Sequence, residues 1–140
     1  MATGSYYEEN SWANKAPLKY QTGGEVAKTV TVAASTVTAD SSSRKRLSPG
    51  TLMVKIDSGD HTGKYGPYDG TATDGRQTPA ADEVVFTVEA HDVTLMDRAV
   101  AGWYAMAVFD KSELEMGGYN LHGTPLTALK TYFPTCVFDD

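Results

Sequence analysis

The sequence predicts a mainly β domain with one or two short helices near its C-terminal end and an extended N-terminal arm. Apolar residues alternate with polar ones at a period of two in several short segments, the pattern of a half-buried strand. Gly, Pro, Asp and Ser gather between those segments, where tight turns need them. Strand periodicity dominates, and no internal repeat of fixed period runs through the 140 residues. A chain of that length fits one domain, and folding can bury roughly 70% of the surface the unfolded chain exposes.

The elements follow in order. Residues 1–24 hold Tyr6, Tyr7, Trp12 and Tyr20 in a polar background without a regular apolar period, which reads as an arm. Gly23-Gly24 is a natural hinge, so folded structure is expected to begin after it: an arm over 1–24 and a β-rich domain over 25–140. Val26, Val30 and Val32 share one parity against Thr29 and Thr31, which predicts a strand near Glu25 to Val37. ADSSSRKRLSPG is loop chemistry. TLMVKI places Leu52, Val54 and Ile56 opposite Thr51 and Lys55 and predicts a second strand. After the turn-rich GKYGPYDGTATDGRQTPA, EVVFTVEA sets Val84, Phe86 and Val88 against Glu83, Thr87 and Glu89, a half-buried strand. AVAGWYAMAVF is apolar on both parities; a fully buried central strand is expected, with a buried helix as the alternative. Asp110 to Glu113 has capping-box spacing, and Gly117-Gly118 would stop the helix it starts. Thr124-Pro125 would open a second helix over LTALKTYF, ended by Pro134.

Composition excludes several classes. A formal charge of -6 argues against a general nucleic-acid binder, whose phosphate contacts need a basic face. No apolar run is long enough to span a bilayer, so no membrane partner is expected, and the polar start MATGSYYEEN lacks signal-peptide features, which points to an intracellular protein. The single cysteine, Cys136, cannot form an internal disulfide and is too little for a structural zinc site.

Sites of chemistry fare no better. Gly59 to Tyr65 lacks the spacing and the hydroxyl of a phosphate loop. Asp57, Asp60, His61, His91 and Asp92 match no calcium loop and read as turn residues. Cys136, His61, His91 and His122 sit in unrelated contexts without a nucleophile elbow. Glu113 and Glu115 read as solvated charge. Arg44-Lys45-Arg46 reads as an exposed solubilising loop, the other reading being a grip on a phosphate or an acidic protein face. No enzyme, cofactor or metal site is expected.

The order LSPGTLMVKI, GKYGPYD, TATDGRQTPA, an acidic apolar strand and AHDV resembles the lambda-type phage head decoration proteins. The resemblance covers about Leu47 to Leu114, half the chain, and its most specific part is GKYGPYDGTATDG. The tail from Gly117 to Asp140 has no counterpart in it, and Val54 and Asp82-Glu83 depart from the family pattern. What the resemblance implies is a small β-sandwich or barrel-like (β-tulip-like) head. Such proteins are made in the host cytoplasm and bind the outer surface of an expanded capsid. There, typically as homotrimers at local threefold positions, they cement the lattice of the major capsid protein.

The residues then take expected roles. Tyr6, Tyr7, Trp12 and Tyr20 are the capsid-binding candidates of the arm, since aromatics in an unpatterned segment can dock on a partner's sheet edge. Tyr65, Pro67, Tyr68 and Asp69 form a candidate subunit or capsid contact loop, in which tight turns present flat apolar rings with polar tips. The competing reading is a phage tail or fibre β domain that binds a host surface glycan through exposed Trp or Tyr.

Overall fold

The computed structural model describes residues 15–123 and 127–139. Among them the strands are β1 (Leu18–Tyr20), β2 (Val26–Val32), β3 (Arg46–Leu47), β4 (Leu52–Lys55), β5 (Tyr65–Pro67), β6 (Val84–Thr87), β7 (His91–Asp92), β8 (Arg98–Ala105), β9 (Val108–Asp110), β10 (Glu115–Met116), β11 (Tyr119–Asn120) and β12 (Val137–Asp139). One α-helix, α1 (Thr127–Tyr132), joins them. The protein is mainly β, as the periodicity predicts.

Five strands close a barrel in the order β2-β5-β4-β6-β8. Its longest ladder is β2 antiparallel to β8, from Val26 opposite Ala105 to Val32 opposite Arg98. β4 pairs antiparallel with both β5 and β6, and β6 pairs with β8. Closure comes from the parallel contact of Val32 with Tyr65, extended by the Ala33 N–H donating to the Tyr65 carbonyl at 2.9 Å.

The barrel is narrow, and Gly102 shows why. A Cβ at that position of β8 would lie 2.4 Å from Val85 Cγ2, so only glycine lets the Val85 side chain fill the interior. Val30, Val32, Val37, Leu47, Met53, Val85, Val93 and Val100 make up that interior together with the ring of Tyr65.

A second core lies on the other face of β4 and β6. Leu52, Val54, Val84 and Phe86 point there and meet Phe109, Leu114, Leu121, Leu129, Phe133 and Cys136. The rings are tightly arranged: Phe86 lies 4.9 Å from Phe109 and 5.0 Å from Phe133, and Phe109 stacks on Phe138 at 5.5 Å. A three-stranded sheet, β1-β9-β12, roofs this core; β1 is antiparallel and β12 parallel to β9. Full burial of each such side chain contributes about 1.5–3 kcal/mol.

Five expectations are corrected by this architecture. β6 is buried along its whole length, because Val85 faces the barrel while Val84 and Phe86 face the aromatic core. Thr87, expected on a polar face, is fully buried; its hydroxyl donates to the Ser48 carbonyl at 2.7 Å and accepts from the Thr51 N–H at 3.0 Å. The segment expected as one fully buried strand is two strands, β8 and β9, broken at Met106 with φ 59, and Ala99 and Ala101 of β8 face outward. The capping box is a single 3-10 turn, Lys111–Glu113, in which the Asp110 carboxylate accepts from Ser112 N–H; Gly117-Gly118 instead turns the β10–β11 hairpin.

The fifth correction concerns the start of the fold. β1 precedes the glycine hinge, Leu18 packs against the aromatic core, and the buried Pro17 accepts a hydrogen bond from the Asp110 N–H at 2.8 Å. Folded structure therefore begins before Gly23, because the roof sheet needs an antiparallel neighbour for β9. α1 and the stop near Pro134 agree with expectation, while the Thr124-Pro125 start lies outside the described residues.

Candidate functional site

The turn-rich stretch has a structural job in its first half. Tyr65 is only 7% exposed, with its ring in the barrel interior, where burial pushes its hydroxyl pKa up. It presents no contact surface, so the contact-loop expectation for Tyr65 gives way to a core role. Gly66 follows because a Cβ there would lie 2.5 Å from Thr36 Oγ1 and 2.8 Å from Arg76 Cδ. The same Arg76 pairs with Asp74 at 3.1 Å and donates to the Pro67 carbonyl at 3.3 Å. The two halves of GKYGPYDGTATDG are thereby clamped together.

The second half opens onto the surface. Tyr68 donates its N–H to the Leu52 carbonyl at 3.0 Å, and its ring is half-buried against the aromatic core. Asp69 caps its own turn, accepting from Thr71 N–H at 2.9 Å and Thr71 Oγ1 at 2.7 Å, and these bonds hold its carboxyl below the usual carboxylate range. Pro67, Tyr68 and Asp69 then line one wall of a 670 Å³ groove. The opposite wall is the β10–β11 hairpin, with Glu115, Met116 and Tyr119, the last 78% exposed. This groove is the candidate site, brought together by β5 running into the loop on one side and the Gly117-Gly118 turn on the other.

Charge within it is balanced. Arg46 and Arg76 stand against Asp69 and Glu115, and each has a partner: Arg46 with Asp40, Arg76 with Asp74, Asp69 with Thr71, and Glu115 with Lys15 at 2.9 Å. What the groove offers is aromatic and apolar surface rimmed by hydroxyls, suited to a flat amphipathic group.

Tyr6, Tyr7 and Trp12 lie outside the described residues. Tyr20 lies in β1, 60% exposed and opposite Val108. Val137 flanks Val108 from the other side, so Tyr20, Val108 and Val137 form one row on the outer face of the roof sheet. Exposed Met106 sits at the adjacent corner. A second exposed apolar feature is the loop tip at Leu95 and Met96, 95% and 67% exposed, beside Arg44 and Arg98.

The Arg44-Lys45-Arg46 run is exposed at Arg44 and half-buried at Lys45 and Arg46, and each cation has a partner. Arg44 pairs with Asp92 at 3.6 Å, Lys45 Nζ donates to the Ala34 carbonyl at 3.2 Å and Arg46 pairs with Asp40, so the cations tie this loop to the barrel's end. Cys136 is fully buried, and burial raises its thiol pKa, as befits a packed rather than a reactive sulfur. His61 Nε2 lies 3.0 Å from Ser35 Oγ, an approach that sequence spacing does not reveal. Its buried Nδ1 has no hydrogen-bond partner, and nearby Asp97 is engaged by Lys64 at 2.6 Å and by Ala34 N–H at 2.8 Å. The pair therefore lacks the oriented acceptor that a nucleophile and base require. Among the described residues no three His, Cys, Asp or Glu side chains gather as a metal site, and no helix is long and apolar enough to cross a membrane.

No protein-family model, curated protein or solved structure matches the chain. Sequence reasoning missed Tyr119 and Met116 because they act through a hairpin whose strands are two residues each, too short to show a period. Gly117-Gly118 between them is a hairpin-turn signal that points to it.

Proposed function

We propose that this protein is a structural decoration protein that binds the outer surface of an expanded phage head and stabilises it. The observation that carries the reading is the physical continuity of the pieces that resemble such proteins. GTLMVKI supplies β4, GKYGPYD supplies β5 beside it, and TATDGR returns so that Asp57 N–H donates to the Asp74 carbonyl at 2.8 Å and Arg76 reaches Pro67. One compact unit from dispersed motifs is what a shared scaffold requires, whereas chance motifs need not touch.

On this reading the partner is the major capsid protein, bound by homotrimers at local threefold positions. Exposed Tyr20 and Val137 on either side of half-buried Val108, with exposed Met106 two residues before it, support contact between copies, since exposed apolar surface of this kind marks an interface and closed symmetry buries the same patch on every copy. Tyr6, Tyr7 and Trp12 add capsid contacts from the N-terminal segment. The role is mechanical, with no cofactor and no catalytic step, on a virion surface after synthesis in the host cytoplasm.

Purified protein is mixed with expanded and unexpanded capsids of the phage that encodes it, and co-sedimentation is measured. The protein is expected to pellet with expanded capsids in preference to unexpanded ones. Absence from both pellets at micromolar protein contradicts the proposal.

A second reading, attachment to a host surface glycan, draws on Tyr68 and Tyr119 in the groove, because exposed aromatic faces stack on sugar rings. A glycan array separates the two: binding to a defined glycan, lost in Tyr119→Ala, favours the tail or fibre role.

A further inference from the structure

We propose that the loop tip at Leu95 and Met96, with Arg44 and Arg98 beside it, is a knob that docks in an apolar recess rimmed by carboxylates on the major capsid protein. The inference rests on the decoration reading and adds to it the surface that faces the lattice and the chemistry that surface requires.

The loop from Val93 to Asp97 is built to hold its tip outward. Val93 at one end is fully buried, and its N–H donates to the Lys45 carbonyl at 2.8 Å. Thr94 is fixed from both sides: its N–H donates to the Asp92 carboxylate at 2.9 Å, and its hydroxyl accepts from the Lys45 N–H at 2.9 Å. At the other end the Asp97 carboxylate accepts from Lys64 at 2.6 Å and from the Ala34 N–H at 2.8 Å. Between these anchors Leu95 and Met96 stand in solvent. The backbone of an anchored loop has little freedom left to lose when a partner covers its tip, which favours binding.

Position separates this tip from the contact between copies. The tip leads into the first residue of β8, Arg98, whereas Met106 and Val108 follow the last, Ala105. Eight residues of strand set those two ends roughly 23 Å apart. A contact centred on Tyr20, Val108 and Val137 is therefore distinct from one centred on Leu95 and Met96.

Charge states what the partner carries. The chain is net -6, yet Arg44 and Arg98 are exposed beside the tip. The carboxylates next to them are already engaged, Asp92 by Thr94 and Arg44, and Asp97 by Lys64. A cationic collar around an apolar tip favours an acidic rim around an apolar recess and disfavours a cationic one. An anionic bilayer would attract the same two arginines, but it repels the rest of an acidic chain, so a protein surface is favoured.

The test is co-sedimentation with expanded capsids of the phage that encodes the protein, at limiting protein so that multivalency does not mask a loss. The full chain is compared with Leu95→Ser, Met96→Ser and Arg98→Glu, and the thermal midpoint of each variant reports that the fold is intact. If a serine variant lowers the midpoint, Leu95→Ala takes its place. Each serine variant is expected to weaken binding about tenfold or more, and Arg98→Glu severalfold, with wild-type binding falling as salt is raised. Serine variants that bind as tightly as wild type overturn this inference and leave the decoration reading standing, whereas a wild type that does not pellet overturns both. Arg98→Glu with undiminished binding contradicts the acidic rim. Tip-dependent binding to vesicles of equal parts phosphatidylcholine and phosphatidylserine, without tip dependence at capsids, overturns the inference in favour of a lipid surface. Self-association in sedimentation equilibrium that Leu95→Ser abolishes overturns it in favour of a second copy.

Discussion

The two cores sit on opposite faces of the same two strands, yet they are built differently. The barrel interior is aliphatic apart from the Tyr65 ring, closed by neighbouring strands, and so confined that Gly102 must lack a side chain beside Val85. The outer core is aromatic and is completed by segments from both ends of the described chain, Leu18 on one side and Leu121, Leu129, Phe133, Cys136 and Phe138 on the other. The difference teaches that the C-terminal tail, outside the span that resembles decoration proteins, is the roof of a core rather than an appendage. Without it β4 and β6 would expose one whole apolar face to water.

The most severe way to break the comparison is to remove the roof. Phe133→Ala deletes a fully buried ring stacked on Phe86 and is expected to destabilise the protein by about 3–5 kcal/mol, read by chemical denaturation. Met53→Ala, in the barrel interior, is expected to cost about 2–5 kcal/mol. A tail that merely leaned on the barrel would leave Phe133→Ala near neutral.

Overpacking probes the barrel alone. Gly102→Ala should cost about 1–3 kcal/mol because its new methyl group meets Val85. Val85→Ala should relieve part of that cost in the double variant, so a double-mutant cycle should give a coupling above about 0.5 kcal/mol. Strict additivity would show that the barrel dilates to admit the methyl.

The N-terminal boundary sharpens the roof. Deleting residues 1–24 removes β1, Pro17 and Leu18 and should lower stability by roughly 2 kcal/mol or more, while deleting residues 1–14 leaves β1 in place and should change the thermal midpoint far less. Equal midpoints for the two deletions would mean that β1 contributes nothing.

The smallest effect is electrostatic, at the barrel's end. The Asp97 carboxyl is held below the usual carboxylate range, first by the hydrogen bond from Lys64 and then by Ala34 N–H. A depressed folded pKa means that this contribution is present above the unfolded value of about 4 and is lost as pH falls through the folded value. Asp97→Asn should therefore lower the thermal midpoint slightly at pH 7, with the gap to wild type closing below about pH 4. A gap that persists unchanged into acid would contradict the pairing.

How much of this could be read from the chain depends on strand length and on which face a residue meets. Val26 to Val32, Leu52 to Lys55 and Val84 to Thr87 announce their strands through parity. The same parity hides the second core, because Met53 and Val85 sit at positions that a one-sided strand would give to water. β1 and β12, three residues each, carry no period, and their pairing with β9 is a long-range event between chain ends. At the site, Pro67, Tyr68 and Asp69 were legible as a turn with a surface, whereas Tyr65 was not legible as core because its burial arises from barrel closure onto Val32. The groove's other wall depends on a hairpin folded against that turn, a contact that local sequence does not encode.

The central claim, that the protein is a capsid cement, is tested most directly by a density map of expanded capsids mixed with the full chain. The account predicts three copies in mutual contact around each occupied local threefold position, with the Tyr20, Val108 and Val137 rows at the contacts between copies. Capsids that stay bare at saturating protein, or isolated single copies without contact between neighbours, would contradict it.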